Sequence, residues 1–203
     1  MSRGPNMFDV VIATSEADAT ALAAVEQHHA QLAAALAIRV EALVAAAAQR
    51  ADGRALAAKD DMVGWCLREL VPHALAEETA MYPAARAKDA GRLLVDGMLA
   101  EHGVITGLVE EIAASRDPVR AAAGARALLV MFESHLSKEN ELILPLLTSA
   151  VDVSVGELLS GMHELLGDEG HEHDESQKQR QEGGCGGHSC ACGEADAVRP
   201  GVG

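Results

Sequence analysis

Along residues 128–146 the inward stripe of a helix carries two groups that an apolar core cannot easily hold. Leu128, Phe132, His135, Glu139, Leu142 and Leu146 follow one another at spacings of 4, 3, 4, 3 and 4, the pattern of a helix face turned toward a bundle interior. His135 and Glu139 are one turn apart on that face. An imidazole and a carboxylate there cost several kcal/mol to desolvate unless something pairs with them. The same arrangement occurs upstream as His73-Ala74-Leu75-Ala76-Glu77. Two facing helices that each present His-x-x-x-Glu inward would form a pocket of nitrogen and oxygen donors, and a metal is its natural occupant.

Two further helices each add one histidine in phase. The first is expected from Ser15, paired with Asp18 in a weak capping box, to Asp52-Gly53. Its stripe is Leu22, Val25, His29, Leu32, Leu36, Val40 and Leu43. His29 is therefore in phase, and His28 lies one position off. A small rotation would bring either one inward, and phase favours His29. The second helix is expected from Asp60-Asp61 to Met81, with Val63, Cys66, Leu70, His73 and Glu77 inward and a kink before His73 caused by Pro72. Trp65 and Tyr82 read as packing residues. The third, Asp89 to Ala114, turns Val95, Met98, His102, Ile105, Val109 and Ile112 inward. Asp117-Pro118 announces the fourth, which carries His135 and Glu139 and extends toward Ala150. A short fifth helix is expected from Ser154 to Leu166, with His163 on its surface.

Composition agrees with an all-α chain. Hydrophobic residues make up 49% but aromatic residues only 2%, which suits helices packed through Ala and Leu and argues against a β-sandwich. A net charge of -15 leaves no basic patch for phosphates, so nucleic acid is not an expected partner. No apolar run is read as a membrane span and no leader pattern opens the chain, so a soluble cytoplasmic protein without a membrane partner is expected. The short apolar run from Met7 to Ala13 reads as an arm or cap. From Gly167 the chain turns acidic and rich in Gly, His and Cys, with almost nothing to bury. The expected division is a bundle over residues 1–166 and a disordered tail over 167–203. Cys185, Cys190, Cys192 and His188 in that tail could hold a soft ion, but a solvated linker is the preferred reading.

Four helices thus offer His29 (or His28), His73, Glu77, His102, His135 and Glu139. A single buried histidine is more often a satisfied core residue than a ligand, and a lone His-x-x-x-Glu can be a surface hydrogen bond. Six in-phase groups need a cation. Imidazole with carboxylate and no thiolate suits iron, manganese or zinc. Six donors are too many for one tetrahedral zinc and fit two ions that share carboxylates.

The order His…His-x-x-x-Glu…His…His-x-x-x-Glu resembles the hemerythrin-like, or HHE cation-binding, domain over roughly residues 15–150. Tyr82-Pro83 after the first pair and Leu144-Pro145 after the second support it. The resemblance implies an up-down-up-down four-helix bundle holding two Fe ions with a bridging oxo or hydroxo group. It implies bridging roles for Glu77 and Glu139 and terminal roles for His29, His73, His102 and His135. The tail is similar to the Cys/His-rich linker of some members. One departure stands out: oxygen-carrying hemerythrins have a second histidine one turn after the third-helix ligand, and the position here is Thr106. The expected function is therefore a non-haem di-iron protein that reacts with or senses O2, peroxide or nitric oxide. The alternatives are an iron-holding or iron-delivery protein without turnover, and a regulatory module reporting to a protein partner that the sequence does not identify.

Overall fold

The computed structural model describes residues 16–150, 152–158 and 160. Among these there are helices and no strand. Helix α1 (Glu16–Ala48) is followed by a second long helical rod built of α2 (Asp52–Trp65), α3 (Val71–Ala76) and α4 (Tyr82–Arg86), joined by the π-helical segments Cys66–Leu70 and Glu77–Met81. Then come α5 (Arg92–Ala114), α6 (Pro118–Lys138), a third π segment (Glu139–Ile143) and α7 (Leu144–Thr148). The expected N-terminal arm, Ser15, His163 and the 167–203 tail lie outside the described residues.

The core falls into two apolar clusters, and their membership gives the topology. One holds Leu32 to Ala47, Ala55 to Leu70, Ile105 to Ile112 and Ala121 to Leu136. The other holds Val25, Ala76 to Ala85, Val95, Met98 and Ile143 to Leu147. The chain runs from the second cluster to the first along α1, back along α2–α4, out again along α5, and back along α6–α7. That is up-down-up-down, as expected. Helix α1 packs on α2 and α6, and α5 packs on α6. The six polar candidates sit at the level where one cluster gives way to the other.

Boundaries differ from the sequence expectation in two places. The second rod starts at Asp52, not near Asp60, because the connection needs only Gln49 to Ala51 and Arg50 takes the positive φ of 52°. Gly53 is thus inside a helix, and the Ala-rich run after it is helical as its propensity favours. Lys59 is buried here, and its ammonium donates to the carbonyls of Ala113 (3.1 Å) and Ser115 (3.2 Å), capping the end of α5. At the fourth helix the sequence signal holds: Asp117 Oδ1 accepts from the Val119 and Arg120 amides at 2.9 and 3.4 Å. Of the fifth helix a turn at 155–158 is described, held to α1 by Asp18, whose Oδ1 accepts from Gly156 N and Ser154 Oγ. Asp18 is therefore buried; its expected capping box with Ser15 falls outside the described residues.

The three π segments share a cause. Val71, Tyr82 and Leu144 each donate their amide five residues back, to the carbonyls of Cys66, Glu77 and Glu139, and each immediately precedes a proline. A proline in a helix lacks an N–H and its ring presses on the carbonyl four residues back. Widening the preceding turn moves that carbonyl away. The feature expected as a kink at Pro72 is this wide turn. Each one slips the helical phase by a residue, so Leu142 is 48% exposed while Ile143 and Leu144 are fully buried, and Met62 takes the inward place expected of Val63.

Helix α1 is long and apolar enough, by length and composition alone, to cross a membrane, contrary to the expectation that no run would be. Alanines such as Ala23, Ala24, Ala30 and Ala34 on its exposed sides give it that character. Its inward face carries His29 and packs on the other helices, which is the place of a bundle's core helix.

Candidate metal centre

The belt between the two clusters brings together all six candidates. His29, His73, Glu77 and Glu139 converge in one group and Glu77, His102, His135 and Glu139 in another, with ligand atoms in each group within 4.8 Å of one another. All six are buried, and Glu139 is 0% exposed. Phase in α1 decides between the adjacent histidines: His29 is buried at the centre and His28 is exposed, its ring 5.0 Å from that of His73. His73 and Glu77 approach through α3 and the π segment that Glu77 opens. His135 and Glu139 do the same from α6 and the segment that Glu139 opens.

The distances suit shared cations better than a hydrogen-bonded network. His102 Nε2 and His135 Nε2 are 3.0 Å apart, as are His73 Nε2 and Glu77 Oε1. Two adjacent donors at about 2.1 Å from one ion at right angles would lie about 3.0 Å apart. His29 Nε2 stands 3.4 Å from Glu77 Oε1 and 3.7 Å from Glu139 Oε2. Yet His29 Nε2, both ring nitrogens of His73, Glu77 Oε1 and Glu139 Oε2 are buried without a hydrogen-bond partner among the described residues. Buried polar atoms in native proteins are nearly always satisfied. Orphans that crowd together without aligned hydrogen bonds are aimed at a common point. The donor set and these orphans fit metal cations.

Tyr82 is the site residue that sequence reasoning took for packing. It is buried, its hydroxyl donates to Glu139 Oε1 at 2.6 Å, and it lies 3.3 Å from His135 Nε2 and 3.4 Å from His102 Nε2. In a regular helix, five residues after Glu77 points about 140° away. The wide turn between them brings it back. Thr106, in contrast, donates to the carbonyl of His102 in its own helix at 2.9 Å and is not in the cluster.

Behind the imidazoles stands a second layer. His102 Nδ1 meets Glu78 Oε1 at 2.7 Å, His135 Nδ1 meets Glu101 Oε2 at 3.1 Å, and His29 Nδ1 meets Asn140 Oδ1 at 2.7 Å. Such contacts fix ring orientation and leave Nε2 directed at the centre. Glu78, Glu101 and Asn140 are each sequence neighbours of a ligand candidate, which was the available signal for them.

Electrostatics follow from two carboxylates in a closed space. Burial alone would raise the Glu77 carboxyl, but the charge of His73 and the contacts of His102, His29 and His73 hold it well below the usual range. Burial disfavours the cation of His29, yet Glu77, Glu139 and Asn140 outweigh it and the ring's pKa is raised. His102 is raised in the same way by Glu77, Glu78 and Glu139. Tyr82 is pushed far up by burial and by the charges of Glu139 and Glu77, so it keeps its proton.

Comparison with family models matches residues 20–147 to the hemerythrin HHE cation-binding domain. The chain belongs to that family, and cation binding comes with it. No curated protein and no solved structure gave a match.

Proposed function

We propose that this chain is a non-haem di-iron protein that reacts with or senses O2, peroxide or nitric oxide. His29 and His73 would hold one iron and His102 and His135 the other, with Glu77 and Glu139 shared between the two beside an oxo or hydroxo group. The observation that carries the reading is the pair of four-residue groups that share Glu77 and Glu139. The metal pair supplies redox chemistry and an open coordination position for a small molecule. The protein's part is to orient four imidazoles through their Nδ1 contacts, exclude bulk water by burial, and hold a proton on the Tyr82 oxygen beside Glu139 Oε1.

Oxidant handling is preferred to reversible carriage because Thr106, tied to its own helix, gives no fifth nitrogen donor to the centre. A cytoplasmic setting and a small diatomic or peroxide ligand belong to the same reading. The test is metal analysis with an absorption spectrum of the isolated protein, then anaerobic reduction, addition of oxygen and its removal under vacuum. About two irons per chain and irreversible return to the oxidised spectrum are expected. Several lossless cycles of a stable adduct would move the assignment to a carrier.

A further inference from the structure

The two halves of the centre differ in what stands behind their imidazoles. His102 and His135 are backed by the carboxylates of Glu78 and Glu101, and Lys138 in turn pairs with Glu101. Tyr82 covers that half. On the other side His29 is backed by a neutral amide, Asn140, and His73 Nδ1 has no hydrogen-bond partner among the described residues. A carboxylate behind an imidazole raises its strength as a ligand, and a charge-assisted hydrogen bond is roughly twice as strong as a neutral one. Among the described residues, the centre's unpartnered buried atoms are on His29 and His73 and on the oxygens of the shared Glu77 and Glu139 that face them.

The same half lies beneath a groove. A cleft of about 310 Å³ between α1 and the α6 rod ends at His29 and Asn140. Its walls include Leu136 and the small side chains Ala30, Ala33 and Ser137, together with Glu26, Glu133 and Glu141, all three exposed. Three carboxylates around an open cleft concentrate cations and speed their capture, an effect weakened by salt. At the floor, the ring of His29 separates the groove from the other three donor residues of its half, His73, Glu77 and Glu139. One hydrogen bond, to half-buried Asn140, fixes that ring from the groove side.

We propose that this groove is the port through which a divalent cation, ferrous iron, reaches and leaves the His29–His73 position, while the ion on His102 and His135 is retained. The inference rests on the dinuclear reading above. Rotation of His29 about its side chain breaks the Asn140 contact and opens the path. The other half has no such weak point in its backing, and Tyr82 must give up its bond to Glu139 before an ion can leave or enter there. The centre therefore has one exchangeable and one resident position.

The test uses the full chain, iron-loaded and reduced without air, mixed with a ferrous chelator. Iron should leave in two phases of one equivalent each. Asn140→Ala should hasten the first phase alone, and Glu78→Gln with Glu101→Gln should hasten the second by about tenfold or more. The one-iron protein left after the first phase is then mixed with ferrous iron. Uptake should slow with added salt, and the triple variant Glu26→Gln, Glu133→Gln, Glu141→Gln should take up iron about tenfold more slowly with a flattened salt dependence. Two irons leaving in a single phase, or a triple variant with the parent's uptake and salt response, overturn the port and leave the dinuclear reading standing. A chain that holds no iron overturns both.

Discussion

Replacing Tyr82 by Phe removes one oxygen and nothing else, so its effect isolates the bond to Glu139. That bond is 2.6 Å long, is buried, and runs from a neutral hydroxyl to a carboxylate. Hydrogen bonds to charged groups contribute about 1.5–3 kcal/mol. The ring itself stays, and with it the apolar contacts of Tyr82 in the cluster around Met81, Met98 and Leu144. For a chain of this size 1 kcal/mol corresponds to about 2–4 °C in melting temperature, so metal-free Tyr82→Phe should melt about 3–12 °C below the metal-free parent. With iron bound, the ions share the charge of Glu139, the hydroxyl contributes less, and the difference should shrink. The assay is a thermal melt followed by circular dichroism, parent against variant, with and without metal. A metal-free variant within about 1 °C of its parent would refute the claim that Tyr82 stabilises Glu139.

Glu77→Ala or Glu139→Ala should lose both irons together, because each carboxylate lies in both ligand groups, and metal analysis of the purified variants checks this. Chelation should lower the melting temperature, since an ion bound only to the folded chain stabilises it by mass action, whereas deleting residues 170–203 should leave it nearly unchanged. Gly91→Ala should destabilise the fold by about 1–3 kcal/mol in urea titration, because its new methyl would meet the Ala85 carbonyl oxygen at 1.9 Å. Gly97→Ala and Gly107→Ala, with nothing within 4 Å of the added carbon, should stabilise by up to about 1 kcal/mol in the same experiment. Cys66, buried among apolar neighbours with its thiol pushed up to about 12 by burial, should resist alkylation until the chain unfolds, as peptide mapping after timed labelling would show.

How much of this was visible in the sequence depended on helix regularity. His29 and His102 stand on α1 and α5, which have no interruption, and simple phase placed both inward. His73, Glu77, His135 and Glu139 were also legible, since each pair lies within or at the edge of a regular turn. The misreadings come after the wide turns. Leu142 was expected inside and is half exposed, and Tyr82 was expected to pack and instead touches three of the centre's side chains. The prolines that cause the shift were plain, but a proline alone does not say whether a helix bends, ends or widens. The groove and the second layer were hidden for another reason. Glu101, Asn140 and Glu26 lie off the apolar stripe, where a charged or amide side chain reads as solvated surface until the neighbouring helix is in place.

The wide turns bear on any attempt to transplant the centre. A designer who copied the six ligands and Tyr82 onto straight, idealised helices would keep each His-x-x-x-Glu pair, because both pairs fall before the irregularity. Tyr82 would then face outward, and the rows of core residues beyond it would be out of register with their partners. The portable unit is therefore not a set of seven side chains. It is those side chains with Pro83 and Pro145, before which the carbonyls of Glu77 and Glu139 bond to the amide five places on.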